Sequence, residues 1–355
     1  MNKLAVVFYF ILIILSFWAC EKEHSPQPVQ PKTGKGVFIV NQGNFQFSNS
    51  SISYYNPSTK QVENNIFQRV NDIPLGDVAQ SMIIKDSLGF IVLNNSGKIY
   101  IININTFEFV EWITNLTSPR YIYFINNKKA YITDLYAKLI TIFNPETFQI
   151  TGNINVDNGN TNYNQHATEQ MVQIGNKLYV NCWSFDNKIL IIDTEIDKVI
   201  DSITVGIQPV VIASDKNDKL WVLTDGGYSG NSFGHEKPEL ICINPQTKEI
   251  EKKFVFDIND RPVDLKINGT KDTLYFINND IWQLSVEADV LPENPFINKD
   301  NKLFFALGID PVTSDVYVSD AIDYMQPGMV YRFSAKAEPL DTVKAGIIPG
   351  FFCFK

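Results

Sequence analysis

Few residues in this sequence have the types and spacing for catalysis. There are only three histidines in 355 residues. Two form metal-like pairs with a carboxylate, His166 with Glu169 and His235 with Glu236. Neither spacing matches a zinc pattern and each set lacks a third ligand, so no metal is expected. No glycine-rich phosphate loop or nucleophile elbow occurs, and nothing supports a Ser–His–Asp triad. After Cys20, three cysteines remain, Cys182, Cys242 and Cys353. They fall in or at the end of apolar runs and read as small core residues, and their odd number argues against a disulfide framework. Binding chemistry is better represented. Arg120 and Arg261 each adjoin a proline. They have the geometry to grip an anion or, equally well, to close a structural salt bridge. Asp134, Asp225 and Asp320 recur in the dipeptides TD, TD and SD. Such recurrence fits a ligand contact or a hydrogen bond within a turn.

The elements that must position these groups repeat. An aromatic residue inside a short β-run recurs at Phe38, Phe90, Tyr131, Tyr179, Trp221, Tyr275 and Tyr317, spaced 41–54 residues apart. A period of this size is that of a propeller blade. Each anchor is followed by a polar loop, a second apolar run, a turn and a third run. The turns NPSTKQ, NPETFQ and NPQTKE are close copies, set by Asn and Pro. Each anchor after Phe38 is preceded by another strand-like run, such as SMIIK at 81–85 or PVVIAS at 209–214. No helical periodicity is visible outside the N-terminal segment. The 25 Phe, 15 Tyr and 5 Trp suit pleated surfaces. The expected fold is therefore all-β, a seven-bladed β-propeller with four-stranded blades over residues 36–355. Phe38 lacks a preceding strand. The C-terminal run AGIIPGFFCF resembles VGIQPVVIAS at 205–214. It is expected to close the ring by pairing near Val37 to Val40, which removes exposed edges.

The first residues belong to another category. A basic start precedes an apolar run from Leu4 to Phe17, then Ala19 and Cys20. This is the order of a secretory signal. The small residue before Cys20 resembles a bacterial lipobox, in which that cysteine becomes lipidated, with Trp18 standing where a small residue is usual. Residues 1–19 are thus expected to be a lipoprotein signal peptide, and 20–35 a lipidated Cys with a Pro-rich tether. The net charge of −9 argues against nucleic acid and anionic membrane surfaces as partners.

Two loop sets of a propeller reach one face near the axis: the links between blades and the loops after the anchors. Here both are rich in aromatic, amide and acidic residues, which describes a wide binding site. The candidate ligand-binding residues are Phe45, Phe47, Gln80, Asn94, Asn95, Arg120, Asp134, Tyr136, Glu169, Gln170, Trp183, Phe185, Asp225, Tyr228, Arg261, Asn279, Asp320 and Tyr324. Trp183 and Phe185 serve equally well as caps on a blade edge.

Long stretches carry a family likeness: NQGNFQFSNSSISYYNP (41–57), GDVAQSM (76–82), TSPRYI (117–122), YVNCWS (179–184), NGTKDTLYFINNDIW (268–282), DAIDYMQPGMVYR (320–332) and GIIPGFFC (346–353). In these the chain resembles the surface-exposed cobalamin-binding lipoproteins of gut Bacteroidetes, the BtuG type, within the broader YncE-like propellers. Glu21 and Glu23 after Cys20 resemble the surface-export signal of such lipoproteins. Four Asp-Ser/Thr-aliphatic triplets, beginning at Asp86, Asp201, Asp272 and Asp341, resemble the O-glycosylation motif of the same phylum. The resemblance implies a non-enzymatic protein, lipid-anchored on the outer face of the outer membrane. It would bind vitamin B12 or related corrinoids as transported ligand, hold no cofactor, and pass the ligand to a TonB-dependent outer-membrane transporter. A corrinoid is large, flat and fringed with amides, which suits Tyr and Trp faces interspersed with Asn, Gln and Asp. Two other readings remain open. A surface propeller for a glycan or siderophore would show aromatics on an open, off-axis surface. A propeller hydrolase or lactonase would converge acidic or His ligands on the axis around a metal.

Overall fold

A computed structural model describes residues 35–160, 162 and 165–355. The expected signal peptide, Cys20 and nearly all of the expected tether lie outside the described residues. Among the described residues, no helix is long and apolar enough to cross a membrane.

Seven antiparallel sheets form the blades. Their innermost strands are Ala79–Lys85, Pro119–Asn126, Thr168–Ile174, Pro209–Ser214, Asp264–Ile267, Phe304–Ile309 and Pro349–Phe354. These seven touch one another in a closed ring around the axis. The anchor strands come second in each blade and are buried almost throughout. All seven anchor aromatics are at most 2% exposed. Their faces join apolar clusters that bridge neighbouring blades; one unites Trp221, Phe254 and Phe276 of blades 5 and 6. Burying a ring of this size contributes about 1.5–3 kcal/mol. Most of the polar tips also find partners. Tyr131 donates to the Asp197 carboxylate and Tyr179 to the carbonyl of Pro245, each in the next blade. Trp221 donates to Asp215 at 2.9 Å.

The Asn-Pro turns close as expected. The side-chain oxygens of Asn56, Asn144 and Asn244 accept the backbone N–H two residues on, at 2.9, 2.9 and 3.0 Å. The ring also closes as expected. Val37–Asn41 pairs antiparallel with Pro349–Phe354, in register Phe38 to Cys353 and Ile39 to Phe352. A polar clasp supports the same joint from outside. Asp341 of blade 7 accepts from Tyr55 of blade 1 at 2.7 Å and from Arg332 at 3.0 Å.

Two local features depart from the repeat. Blade 6 has three full strands, and its fourth position is filled by a single bridge between Ile281 and Ile297. Pro292 and Pro295 fall in that outer segment and cannot donate to a ladder. The link from blade 1 to blade 2 contains a short helix, α1 (Ile66–Asn71). Six residues are too few to display a helical period in sequence. Tertiary contacts hold it instead: Ile66 and Phe67 are buried, and Phe67 packs on Tyr100 at 4.8 Å.

Deleting Ile348 to Lys355 is expected to abolish cooperative folding, because it strips blade 1 of its inner strand. Circular dichroism melts and size-exclusion chromatography check this. A soluble, monomeric truncation with an unchanged melt would show that the ring closes without this strand.

Candidate functional site

The two loop sets are tied together at the backbone. The N–H just beyond an anchor strand donates to the carbonyl just before the inner strand of the same blade. The pairs are Gln42 to Ile348, Asn94 to Val78, Leu135 to Ser118, Trp183 to Ala167, Asp225 to Gln208 and Ala321 to Leu303, at 2.8–3.1 Å. In blade 6 the direction reverses, from Val263 to Ile277. This repeated bond brings linking loops and post-anchor loops to one face. Val78, Gln208 and Ile348 hold left-handed backbone there, with φ of 52°, 56° and 53°. Such conformations are costly for branched residues and mark backbone held in place by its surroundings.

At the centre of that face lies a cup of about 320 Å³ lined by all seven inner strands. Its polar residues include Gln42, Gln80 and Gln170, and its flat walls include Tyr121, Trp183, Phe305 and Phe351. Three cations, Arg120, Arg261 and Lys266, face three carboxylates, Glu169, Asp225 and Asp264. The cup is therefore balanced in formal charge. Arg120 and Glu169 form a buried ion pair at 2.8 Å, and Arg120 Nη1 also donates to Gln80 at 2.6 Å. Burial pushes the Glu169 carboxyl above the usual range, and the adjacent guanidinium draws it part of the way back. Burial works against the Arg120 charge as well, but Glu169 outweighs it and holds the guanidinium firmly protonated. Lys266 pairs with Asp264 at 2.6 Å and lies over the Phe351 ring at 5.9 Å. Asp264 in turn accepts the Leu307 N–H at 2.8 Å. Trp183 Nε1 donates to Asp225 at 3.1 Å, joining blades 4 and 5 across the wall. Burial raises the Asp225 carboxyl, while the Gly227 and Trp183 N–H groups oppose the shift.

Of the eighteen candidate residues, seven line this cup: Gln80, Arg120, Glu169, Gln170, Trp183, Asp225 and Arg261. Phe45, Phe47, Tyr136, Tyr228 and Tyr324 stand in the loops around it and are 42–68% exposed. Phe185 is half-buried on left-handed backbone. The remaining candidates are engaged in holding loops. Asp134 accepts four backbone N–H groups, from Thr117, Ser118, Tyr136 and Ala137. Asp320 accepts two, from Leu303 and Ile322. Asn94 donates to Ser118 at 2.8 Å and Asn95 to Asp77 at 2.6 Å. Asn279 accepts from Lys299 at 3.2 Å. The pairing of His166 with Glu169 does not form. Glu169 turns to Arg120, and His166 Nδ1 meets Asp186 at 2.6 Å. Sequence reasoning missed Gln42, Tyr121, Asp264, Lys266, Phe305 and Phe351. Aligning the opening residues of all seven inner strands would have found most of them.

The fold and site define a propeller with a polar axial cup and an aromatic rim. The sequence matches the model of a domain of unknown function, DUF5074, over residues 35–345. The chain belongs to the DUF5074 family. No curated protein matches it. Among solved structures, it is similar to a quinonprotein alcohol dehydrogenase-like protein from Bacteroides thetaiotaomicron. That match has 14% identity and a TM-score of 0.69, and covers 90% of this chain and 78% of the other. A protein from Lactobacillus plantarum matches at 10% identity and TM-score 0.66, over 91% of this chain and 100% of the other. A candidate 6-phosphogluconolactonase from Bacteroides fragilis matches at 11% identity and TM-score 0.64, over 92% and 100%. At such identities the likeness shows the propeller fold alone.

Glu169→Ala is expected to lower the unfolding free energy by about 3–5 kcal/mol, because it strands a buried guanidinium. Replacing both partners, Arg120→Met with Glu169→Leu, should restore most of that loss. Urea melts decide the point. A loss under about 1 kcal/mol for Glu169→Ala would mean that water, rather than Glu169, carries the Arg120 charge.

Proposed function

We propose that this protein is a non-catalytic, lipid-anchored capture protein at the cell surface. It binds corrinoids and delivers them to a TonB-dependent outer-membrane transporter. The observation that carries this reading is the two-level construction of the face: a charge-balanced, amide-rich cup set below a wide ring of exposed aromatic residues. A cup of about 320 Å³ is far too small to enclose a corrinoid. The macrocycle would lie across the rim, its flat body against Tyr and Phe faces. Amide side arms would reach down to Gln42, Gln80 and Gln170, where donors and acceptors are both present. Net neutrality suits an uncharged amide better than a phosphate or carboxylate, which would need uncompensated cations. The resemblance in the loops at 41–57 and 320–332 supports the same ligand class, and the N-terminal segment supports the anchor.

A hydrolase or lactonase finds less support. Each axial carboxylate already faces a cation or N–H donors, so none is poised to share a metal with another.

Isothermal calorimetry with cyanocobalamin tests the proposal, with saturable heat expected at micromolar protein. Trp183→Ala and Tyr228→Ala should each weaken binding by about tenfold or more, the loss of a stacked aromatic contact. Their melting curves should stay close to wild type. No heat with the wild-type chain would turn the reading toward a glycan or siderophore. Binding unaffected by both changes would move the ligand off these loops.

A further inference from the structure

Outside the cup, three donors of different chemistry converge in blade 4. His166 lies in the link just before the inner strand Thr168–Ile174. Cys182 ends the anchor strand Lys177–Cys182, and Asp186 follows four residues on, in the loop that carries Trp183. One imidazole nitrogen, the thiol sulfur and one carboxylate oxygen all lie within 4.8 Å of one another. Cys182 is fully enclosed and Asp186 buried, while the His166 side chain is 19% exposed and opens the group to solvent. No zinc pattern is visible in sequence, because antiparallel pairing of Thr168 with Cys182, not chain spacing, brings the donors together.

We infer that His166, Cys182 and Asp186 form a binding site for one divalent, borderline-soft cation of the Zn²⁺ type. Imidazole, thiolate and carboxylate are the three donor types that zinc accepts, at about 2.0–2.3 Å. A thiolate excludes Ca²⁺ and Mg²⁺ as preferred occupants. Tetrahedral coordination at those lengths sets neighbouring donors about 3.3–3.7 Å apart. The His166–Asp186 pair must therefore open slightly, and the thiol must close by up to about 1 Å, within the range of side-chain rotation. The outer contacts for such a site are present. Asp186 Oδ1 accepts the Asn187 N–H at 2.7 Å, which leaves Oδ2 toward the imidazole. The Asp186 carbonyl accepts from Gln208, and the His166 N–H is held by Val156. Backbone bonds thus hold the main chain at His166 and Asp186, and the Asn187 N–H orients the Asp186 carboxylate. On binding, the Cys182 thiol gives its proton to solvent. The three side chains leave a fourth position for water on the His166 side. Trp183 lies between Cys182 and Asp186 in the chain. A cation held across those two residues would stiffen the loop that sets Trp183 against Asp225 at the wall of the cup. The site does not depend on which ligand the cup takes.

The test uses Co²⁺ as a spectroscopic probe with the purified full chain after chelator treatment. One equivalent should give an intense thiolate-to-cobalt charge-transfer band and tetrahedral visible bands, both displaced by Zn²⁺. Cys182→Ser should abolish the charge-transfer band, and His166→Gln should weaken binding at least tenfold. Zn²⁺ should raise the melting temperature of the wild type and leave that of both variants unmoved. Absence of the band in the wild type, or its persistence in Cys182→Ser through another cysteine, would overturn the assignment. Should Cys182→Ser fail to fold, the His166→Gln variant, at a partly exposed position, decides alone, and unaltered Co²⁺ affinity there would equally overturn it.

Discussion

The structure depends on one antiparallel pairing, that of Val37–Asn41 with Pro349–Phe354. Six blades are built from contiguous chain; the first is built from both ends of it. A propeller without this joint has two open blade faces and an apolar surface at each. The joint also completes the site. Gly350 and Phe351 come from the closing strand, and Gln42 from the loop just after its partner. The Phe351 ring packs near Tyr121 at 6.2 Å, across the cup on blade 3. Closure and the cup are thus completed together: residues 349–354 finish the core and the cup at once. Gly350 shows how close the fit is, since an added Cβ would lie 2.5 Å from the Gln42 side chain.

The contrast between blade interfaces and axis follows from what each must exclude. Between blades, branched and aromatic side chains make up the packing, and the hydroxyls of Tyr131 and Tyr179 reach across to the neighbour. At the axis, seven strands converge around the cup, and charged groups stand among its aromatic walls. Arg120 is paired with Glu169 and Lys266 with Asp264. Removal of two charges from water costs several kcal/mol per ion, and their mutual attraction regains that only with good geometry. The Arg120–Glu169 pair therefore adds little net stability. What it fixes is position: Arg120 is locked to Glu169 on one side and Gln80 on the other, so three blades present their polar groups in one arrangement.

The ring and its period were legible because burial forces repetition. An anchor strand enclosed on both faces must be apolar and β-branched or aromatic, and that demand recurs seven times. Its closing strand was legible for the same reason, as a leftover match to another blade's inner strand. Blade 6 departs where Pro292 and Pro295 prevent a ladder, and α1 departs because tertiary packing rather than periodicity forms it. The site was only partly legible. Recurring Asp134, Asp225 and Asp320 look alike in sequence, yet Asp134 and Asp320 spend their oxygens on backbone N–H groups, while Asp225 also turns to Trp183 on the cup wall. Inner-strand residues such as Lys266 and Phe305 were hidden, since nothing in a short β-run states which side meets the axis. His166 drew attention beside Glu169, its neighbour in sequence, whereas the fold gave it Asp186.

The high aromatic content therefore answers two separate constraints. Rings such as Trp221 and Tyr275 are sealed between blades, where their area stabilises the fold. Rings such as Phe45, Phe47 and Tyr228 stay exposed on the cup face, where they cost apolar exposure without return to the fold. Their loops are not loose, however. Asn44 bonds the carbonyl of Tyr324 across the blade 7–1 joint, and Asp77 holds the Gln46 N–H and Asn95 together across blades 1 and 2. Exposed rings on braced loops lose little conformational freedom when a flat ligand settles on them, and such preorganisation raises affinity by reducing the entropy lost on binding. For the ligand proposed above, a rigid rim over a small cup suits a molecule wider than the pocket it enters.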